Sequence, residues 1–278
     1  MIEKSPFFNL LDQSFPGMKV NVSRCESIGY PWASKPFLKE EGNEVLSHVG
    51  FLDYPLIING REYKTGGLNA VCTRTSHRGL GFASELIQQA LSWAKEHYEC
   101  VLLFTEIPQF YETNSFRKIQ EYRFHLPCPH AKGSQLLKPL ISPNDDVLFF
   151  DYFNNRSALS NYIWLKDNGT IASFNAFFTT FPTYWSLYYC SSIDAILSFE
   201  IKDRTLHLYD VIASKLPSLE SILDHIQSEI DHIYFYFSPD RFTVSAVPEP
   251  YLFDNSYLMV HGNWPLVQPF MIPPLARC

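Results

Sequence analysis

Val71-Cys72-Thr73-Arg74-Thr75-Ser76-His77-Arg78-Gly79-Leu80-Gly81-Phe82-Ala83-Ser84 decides the fold, because it joins the end of a strand to the start of a helix through two glycines. Upstream, residues 49–52 and 55–58 read as strands that run into Asn59-Gly60, the strongest short hairpin signal. The return strand is expected over residues 61–73, with Gly66-Gly67 as a bulge. Downstream, Ala83, Leu86, Ile87, Ala90, Leu91 and Ala94 recur at helical spacing and form one apolar stripe. Residues 101–105 are continuously apolar, as in a strand covered on both faces. The unit is strand, glycine loop, helix, strand.

A helix start exposes unpaired backbone N–H groups and a partial positive charge, so this joint favours a phosphate. Gly79 and Gly81 remove the Cβ atoms that would hold a pyrophosphate off the backbone. Ala83 and Ser84 keep the first turn small, and Arg78 adds a cation. The third glycine of a dinucleotide fingerprint is missing, and no Gly-Lys-Ser/Thr of a nucleoside-triphosphate loop follows.

Working outward, residues 6–15 have helical spacing after Pro6, and Gly29-Tyr30-Pro31-Trp32 reads as a loop. Residues 128–145 are rich in proline and read as a linker. Beyond it the rhythm returns: a strand over 205–213, a helix over 217–230 and a strand over 232–237. The joint Ser214-Lys215-Leu216-Pro217-Ser218 has no glycine, so the second half lacks a phosphate cradle of its own.

The chain has 278 residues, 46% hydrophobic and 18% charged, which describes a globular protein long enough for one large domain or two medium ones. Aromatic residues sit in strand-like runs such as Ile233-Tyr234-Phe235-Tyr236-Phe237 and read as core. A net charge of -7 argues against a nucleic-acid partner, which requires clustered Lys and Arg. Met1-Ile2-Glu3-Lys4-Ser5-Pro6 does not resemble a secretory leader, and no apolar run reaches the roughly 20 residues of a membrane span. The six cysteines are scattered, as expected for reduced thiols in a cytoplasmic protein. His125, Cys128 and His130 lack a fourth ligand, so no metal is expected.

Arg78, two spacers, Gly81, one spacer and Ala83, between a strand and an amphipathic helix, resemble the coenzyme A loop of the GNAT superfamily of N-acetyltransferases. A second landmark, Phe110-Tyr111-Glu112-Thr113-Asn114-Ser115-Phe116, resembles the family signature "Phe-Tyr, three residues, Gly-Phe". Ser115 replaces the usual glycine, and the left-handed residue of the turn is expected at Asn114. The resemblance implies that Val71, Cys72 and Thr73 pair with the pantetheine arm of acetyl-CoA. It implies that the backbone of Gly79, Leu80, Gly81, Phe82, Ala83 and Ser84 holds the pyrophosphate, and that Tyr111 protonates the departing thiolate. Cys72 is expected to be inert rather than an acyl relay.

The whole chain resembles the tandem, enhanced-intracellular-survival class of these enzymes. This implies an α/β fold of two GNAT-like mixed-sheet domains, the second degenerate, with residues 1–127 binding acetyl-CoA, 128–145 linking, and 146–278 forming the companion. The implied reaction is direct attack of an amine on acetyl-CoA. The acceptor is open among aminoglycoside, polyamine, peptide amine and metabolite, and so is the oligomeric state. The general base is open among the terminal carboxylate of Cys278, which that class implies, Glu106 just after the second core strand, and a water relay. The alternative to an enzyme is a non-catalytic acyl-CoA sensor or scaffold.

Overall fold

The computed structural model describes residues 6–141, 143–166, 169–173 and 186–278. Residues 1–5, read above for a leader, lie outside the described residues. Two helices, α1 (Pro6–Ser14) and α2 (Met18–Ser27), precede strands β1 (Lys35–Glu41), β2 (Glu44–Asp53), β3 (Leu56–Ile58), β4 (Arg61–Tyr63) and β5 (Thr65–Thr73). Then come α3 (Phe82–Ala94), β6 (Cys100–Thr105), α4 (Pro108–Glu112), β7 (Arg117–Ile119), β8 (Tyr122–His130), β9 (Lys138–Pro139), α5 (Asp146–Asn154) and β10 (Ile163–Leu165). The chain continues through β11 (Leu187–Cys190), β12 (Ala195–Lys202), β13 (Thr205–Ile212), α6 (Leu219–Leu223), β14 (Ile230–Phe235), β15 (Val247–Pro250) and β16 (Tyr257–Gly262).

The first sheet has the order β1-β2-β5-β6-β16-β7, and the second β15-β8-β14-β13-β12-β11-β9. Both are mixed: β5 runs parallel to β6, and β13 parallel to β14. The sheets exchange chain. Residues 257–262, near the carboxyl end, pair antiparallel with all of β6 and also with β7, so a late strand completes the first sheet. Residues 122–130 leave for the second sheet, where β8 lies between β14 and β15. The segment read as a linker therefore contains the end of β8 and all of β9.

Alternation along the strands buries both faces of the first sheet. Val101, Leu103 and Met259 pack with Leu86, Ile87 and Ala90 of α3 on one side. Cys100, Leu102, Leu258 and Val260 pack on the other against Phe270 and Ile272 from the carboxyl-terminal segment. Each such aliphatic side chain contributes about 1.5–3 kcal/mol on burial.

Three local expectations are corrected. The return strand breaks at Lys64, because β4 and β3 join β10 in a separate three-stranded sheet. Gly66-Gly67 is not a bulge but a close approach. A Cβ on Gly66 would lie 2.0 Å from Phe51 Cζ, and one on Gly67 2.8 Å from Cys278 Sγ. The bulge falls further along β5, where the register with β2 shifts between His48 and Gly50 and Ala70 adopts φ 48°. The helix over 217–230 is only the five-residue α6. The carbonyls of Asp224 and Ile226 accept instead from the amides of Gln135 and Gly133, which draws the chain out of the helix.

Candidate functional site

Parallel pairing of β5 with β6 covers only Thr65–Cys100, Gly66–Val101 and Gly67–Leu102. Beyond Leu102, β6 stays with β16, while β5 follows β2 to Thr73. The two strands part, and a cleft of about 680 Å³ opens at the helix start beyond the split. Its wall includes Val71, Cys72 and Thr73 from β5; Arg78, Gly79, Gly81, Phe82, Ala83 and Ser84 from the loop and α3; and Tyr111 from α4. The structure thus brings nine expected donor-site residues and the expected acid into one wall. Leu80 is exposed and stands outside it, as do Glu106 and Cys278. Ser14, Phe15, His77, Ile107 and Phe110 also line the cleft. None of these five was singled out from the sequence, although Ser14 and Phe15 end the helix expected there and Phe110 belongs to the quoted signature.

The loop has the form an anionic group requires. Gly79 and Gly81 take φ 80° and 83°, the left-handed region, and a Cβ on either would point into open space. Gly81 is the cap residue of α3 and, among the described residues, no side chain caps that end. Thr75–His77 form a tight turn before the loop. Arg78 is exposed at the mouth, its Nε donating to the Thr73 carbonyl at 3.2 Å. Lys39 lies 5.2 Å from the Phe82 ring centre, with its Nζ paired to the Glu85 carboxylate at 3.0 Å in the first turn of α3. Arg74 clamps the preceding strand end: its amide donates to the Leu46 carbonyl at 2.9 Å, and its Nε to the Val45 carbonyl at 2.8 Å.

Tyr111 enters from α4, which starts at Pro108 as first-turn proline allows. Its carbonyl accepts from the amides of Asn114 and Phe116, and its ring meets those of Phe110 and Phe116 edge-on. The left-handed residue of this turn is Ser115, at φ 66°, rather than Asn114. Asn114 has other duties: it is buried, accepts from Gln88 Nε2 at 3.2 Å, and donates to the Phe110 carbonyl at 3.1 Å and to Ser84 Oγ at 3.3 Å. A left-handed serine keeps these bonds and ties the Tyr111 segment to the first turn of α3. Burial pushes the Tyr111 phenol up to about 12, so it keeps its proton at neutral pH.

Burial also pushes the Cys72 thiol up to about 11, against smaller opposing effects of Ser14 and Arg78. A thiol so protonated is a poor nucleophile, which agrees with the expected inert role. Glu106 is exposed after the end of β6. Desolvation and then the charge of Glu106 raise the pKa of Asp254. Cys278 Sγ lies against Gly67, at the last pair before the strands part. His125 is not in this site; its Nε2 lies 3.1 Å from His232 Nδ1 on the second sheet.

Beneath the β5 wall, His48 is fully buried with Nδ1 2.8 Å from the Ala70 carbonyl. Burial lowers its pKa from 6.5 to about 4. Below pH 6.5 the unfolded chain therefore binds a proton that the folded chain refuses, and stability falls as pH drops from 6.5 to 4. The expected loss from this group is about 3 kcal/mol, read by urea unfolding across that window. His48→Asn should flatten this part of the curve. An unchanged slope in the variant would contradict the assignment.

Comparison with known proteins agrees with this geometry. Residues 4–119 match the family model described as an acetyltransferase (GNAT) domain. This segment is a GNAT domain. No curated protein sequence matches the chain. Among solved structures, a probable N-acyltransferase from Enterococcus faecalis is similar at TM-score 0.57 and 12% identity, over 91% of this chain and 68% of that one. A GCN5-related N-acetyltransferase from Anabaena variabilis gives 0.53 and 17%, over 93% and 69%. Eis1 from Mycobacterium abscessus gives 0.50 and 12%, over 80% and 62%. At these identities the likeness is one of fold, and it extends well past the GNAT domain into the second half, as a tandem of GNAT-like mixed sheets implies. The glycine loop, the cleft-lining residues 71–84 and Tyr111 lie within the matched segment.

Proposed function

We propose that this protein transfers an acetyl group from acetyl-CoA to an amine, with the donor held in the cleft between β5 and α4. The observation that carries the reading is the convergence of an uncapped helix start, two left-handed glycines with open space above them, and a buried protonated tyrosine in one wall. The first-turn amides and Arg78 hold the pyrophosphate, and the residues 71–73 of β5 take the pantetheine arm. A neutral amine then attacks the thioester carbon directly. The C–N bond forms, the C–S bond breaks, and the Tyr111 phenol gives its proton or a hydrogen bond to the leaving sulfur. Glu106 is the proposed base for the amine proton; it is exposed just after the end of β6. The carboxyl-terminal half supplies β16 to the donor sheet and is proposed to wall the acceptor side.

Thiol release from acetyl-CoA with a panel of polyamines, aminoglycosides and peptide amines tests this proposal. Tyr111→Phe keeps the ring and should lower kcat roughly ten- to a hundredfold while leaving coenzyme affinity nearly unchanged. Because the phenol stays protonated to about pH 12, the parent rate should show no fall from tyrosine ionisation up to about pH 10. Glu106→Gln should lower kcat while leaving acetyl-CoA affinity nearly unchanged. A parent that binds acetyl-CoA yet releases no thiol with any amine would instead make the protein an acyl-CoA sensor. A silent Tyr111→Phe would reduce the phenol to a packing anchor.

A further inference from the structure

The β5 strand does not run straight into the cleft. Between the pairs His48–Cys72 and Gly50–Asn69 it gains a residue, and Ala70 takes the left-handed conformation at φ 48°. That conformation is unfavourable for any residue with a Cβ, so it persists only where its surroundings hold it. Two contacts do so. Ser34 Oγ donates to Asn69 Oδ1 at 2.7 Å, in space that exists because residue 50 is glycine; a Cβ there would lie 2.1 Å from Asn69 Oδ1. On the other side His48 Nδ1 lies 2.8 Å from the Ala70 carbonyl. A carbonyl only accepts, so Nδ1 carries the proton.

His48 is fully buried and stacks on Phe7 at 5.5 Å. Among the described residues its Nε2 is buried without a hydrogen-bond partner, and the imidazole spends its one N–H on Ala70. A buried polar ring stacked on Phe7, itself packed against an apolar cluster that includes Phe8, Leu10, Leu11 and Val45, is costly, and packing alone would be better met by phenylalanine. The carbonyl it holds is one residue before Val71, which lines the cleft.

We propose that His48 is a positioning residue: by holding the Ala70 carbonyl it fixes the bulge, and so sets where the wall of residues 71–73 meets the acyl and pantetheine end of the donor. The inference rests on the coenzyme reading above. The phosphate loop is held separately, through the bonds of Arg74 to Val45 and Leu46. Disturbing the bulge therefore reaches one end of the donor and spares the other.

Calorimetric titration with two probes separates these ends: acetyl-CoA, and adenosine 3′-phosphate 5′-diphosphate, which carries only the nucleotide and pyrophosphate. His48→Phe should weaken acetyl-CoA about tenfold, the effect of one lost buried hydrogen bond, and leave the nucleotide within about twofold of the parent. Adding Ala70→Gly should restore most of the loss, because glycine adopts a positive φ without strain. His48→Asn, whose side-chain N–H replaces the imidazole Nδ1–H, should stay near the parent. Should His48→Phe not fold, His48→Gln takes its place with the same expectations, since it carries its N–H one carbon too far. Equal weakening of both probes, no weakening of either, or no recovery with Ala70→Gly would overturn the positioning role. A parent that binds neither probe contradicts the coenzyme reading itself, and the inference falls with it.

Discussion

Gly81→Val is expected to weaken acetyl-CoA binding by at least about a hundredfold. The residue sits at φ 83° with nothing within 4 Å of where a Cβ would stand. In the unliganded protein that space is open, so the substituent meets no neighbour. It does fill the approach to the first-turn amides, and losing two charge-assisted hydrogen bonds at about 1.5–3 kcal/mol each gives a factor of a hundred or more. Valine in the left-handed region also costs about 1–2 kcal/mol of stability, so the unliganded variant should melt modestly lower. The readout is the ligand-induced shift in Tm: at a hundred times Kd the parent gains about 2.7 kcal/mol, and the variant should gain almost nothing. A variant that melts lower yet keeps the full ligand shift would show that the pyrophosphate lies elsewhere.

Glu121→Ala should destabilise the fold by about 3–5 kcal/mol. Glu121 lies between β7 and β8, where the chain leaves the first sheet for the second. Its carboxylate accepts from Arg277 Nη2 at 2.7 Å and from the Ile272 amide at 3.0 Å, and its backbone carbonyl accepts from the Tyr251 amide. Both side chains are buried, at 4% and 9% exposure, which makes removal of one partner costly. Burial drives the Glu121 pKa up, and Arg277 and the Ile272 amide oppose that shift. Removing the carboxylate takes from the guanidinium, which lies over the Phe104 and Phe253 rings, the buried ion pair and hydrogen bond it makes with Glu121. Chemical unfolding reads the loss; a change below about 1 kcal/mol would mean that the crossover and the carboxyl-terminal segment are joined by apolar packing alone.

The phosphate loop was legible because its requirements are local. Glycine where φ is positive, small residues in a first helical turn and an apolar stripe at helical spacing are all written in adjacent positions. The insertion of β16 beside β6 was not, because Tyr257–Gly262 reads like any buried strand and its partners in β6 lie more than 150 residues away. The same distance hid Glu121 and Arg277, each of which looks in sequence like an ordinary surface charge. Gly66-Gly67 misled because a glycine needed for space and a glycine needed for a bulge look alike until Phe51 and Cys278 are in place. The true bulge centres on an alanine, which propensity would never select, and its support comes from a histidine on the neighbouring strand. The second-half helix was overread because an apolar period cannot show that residues 133–135 compete for its carbonyls.

The most direct test of the acetyltransferase reading is a crystal structure of the protein with acetyl-CoA. The account predicts the pyrophosphate within hydrogen-bond distance of the backbone amides of the 79–84 loop, the pantetheine arm along residues 71–73, and the Tyr111 phenol within hydrogen-bond reach of the thioester sulfur. A donor bound away from the Gly79–Gly81 loop, or a sulfur beyond reach of Tyr111 with no bridging water, would contradict it.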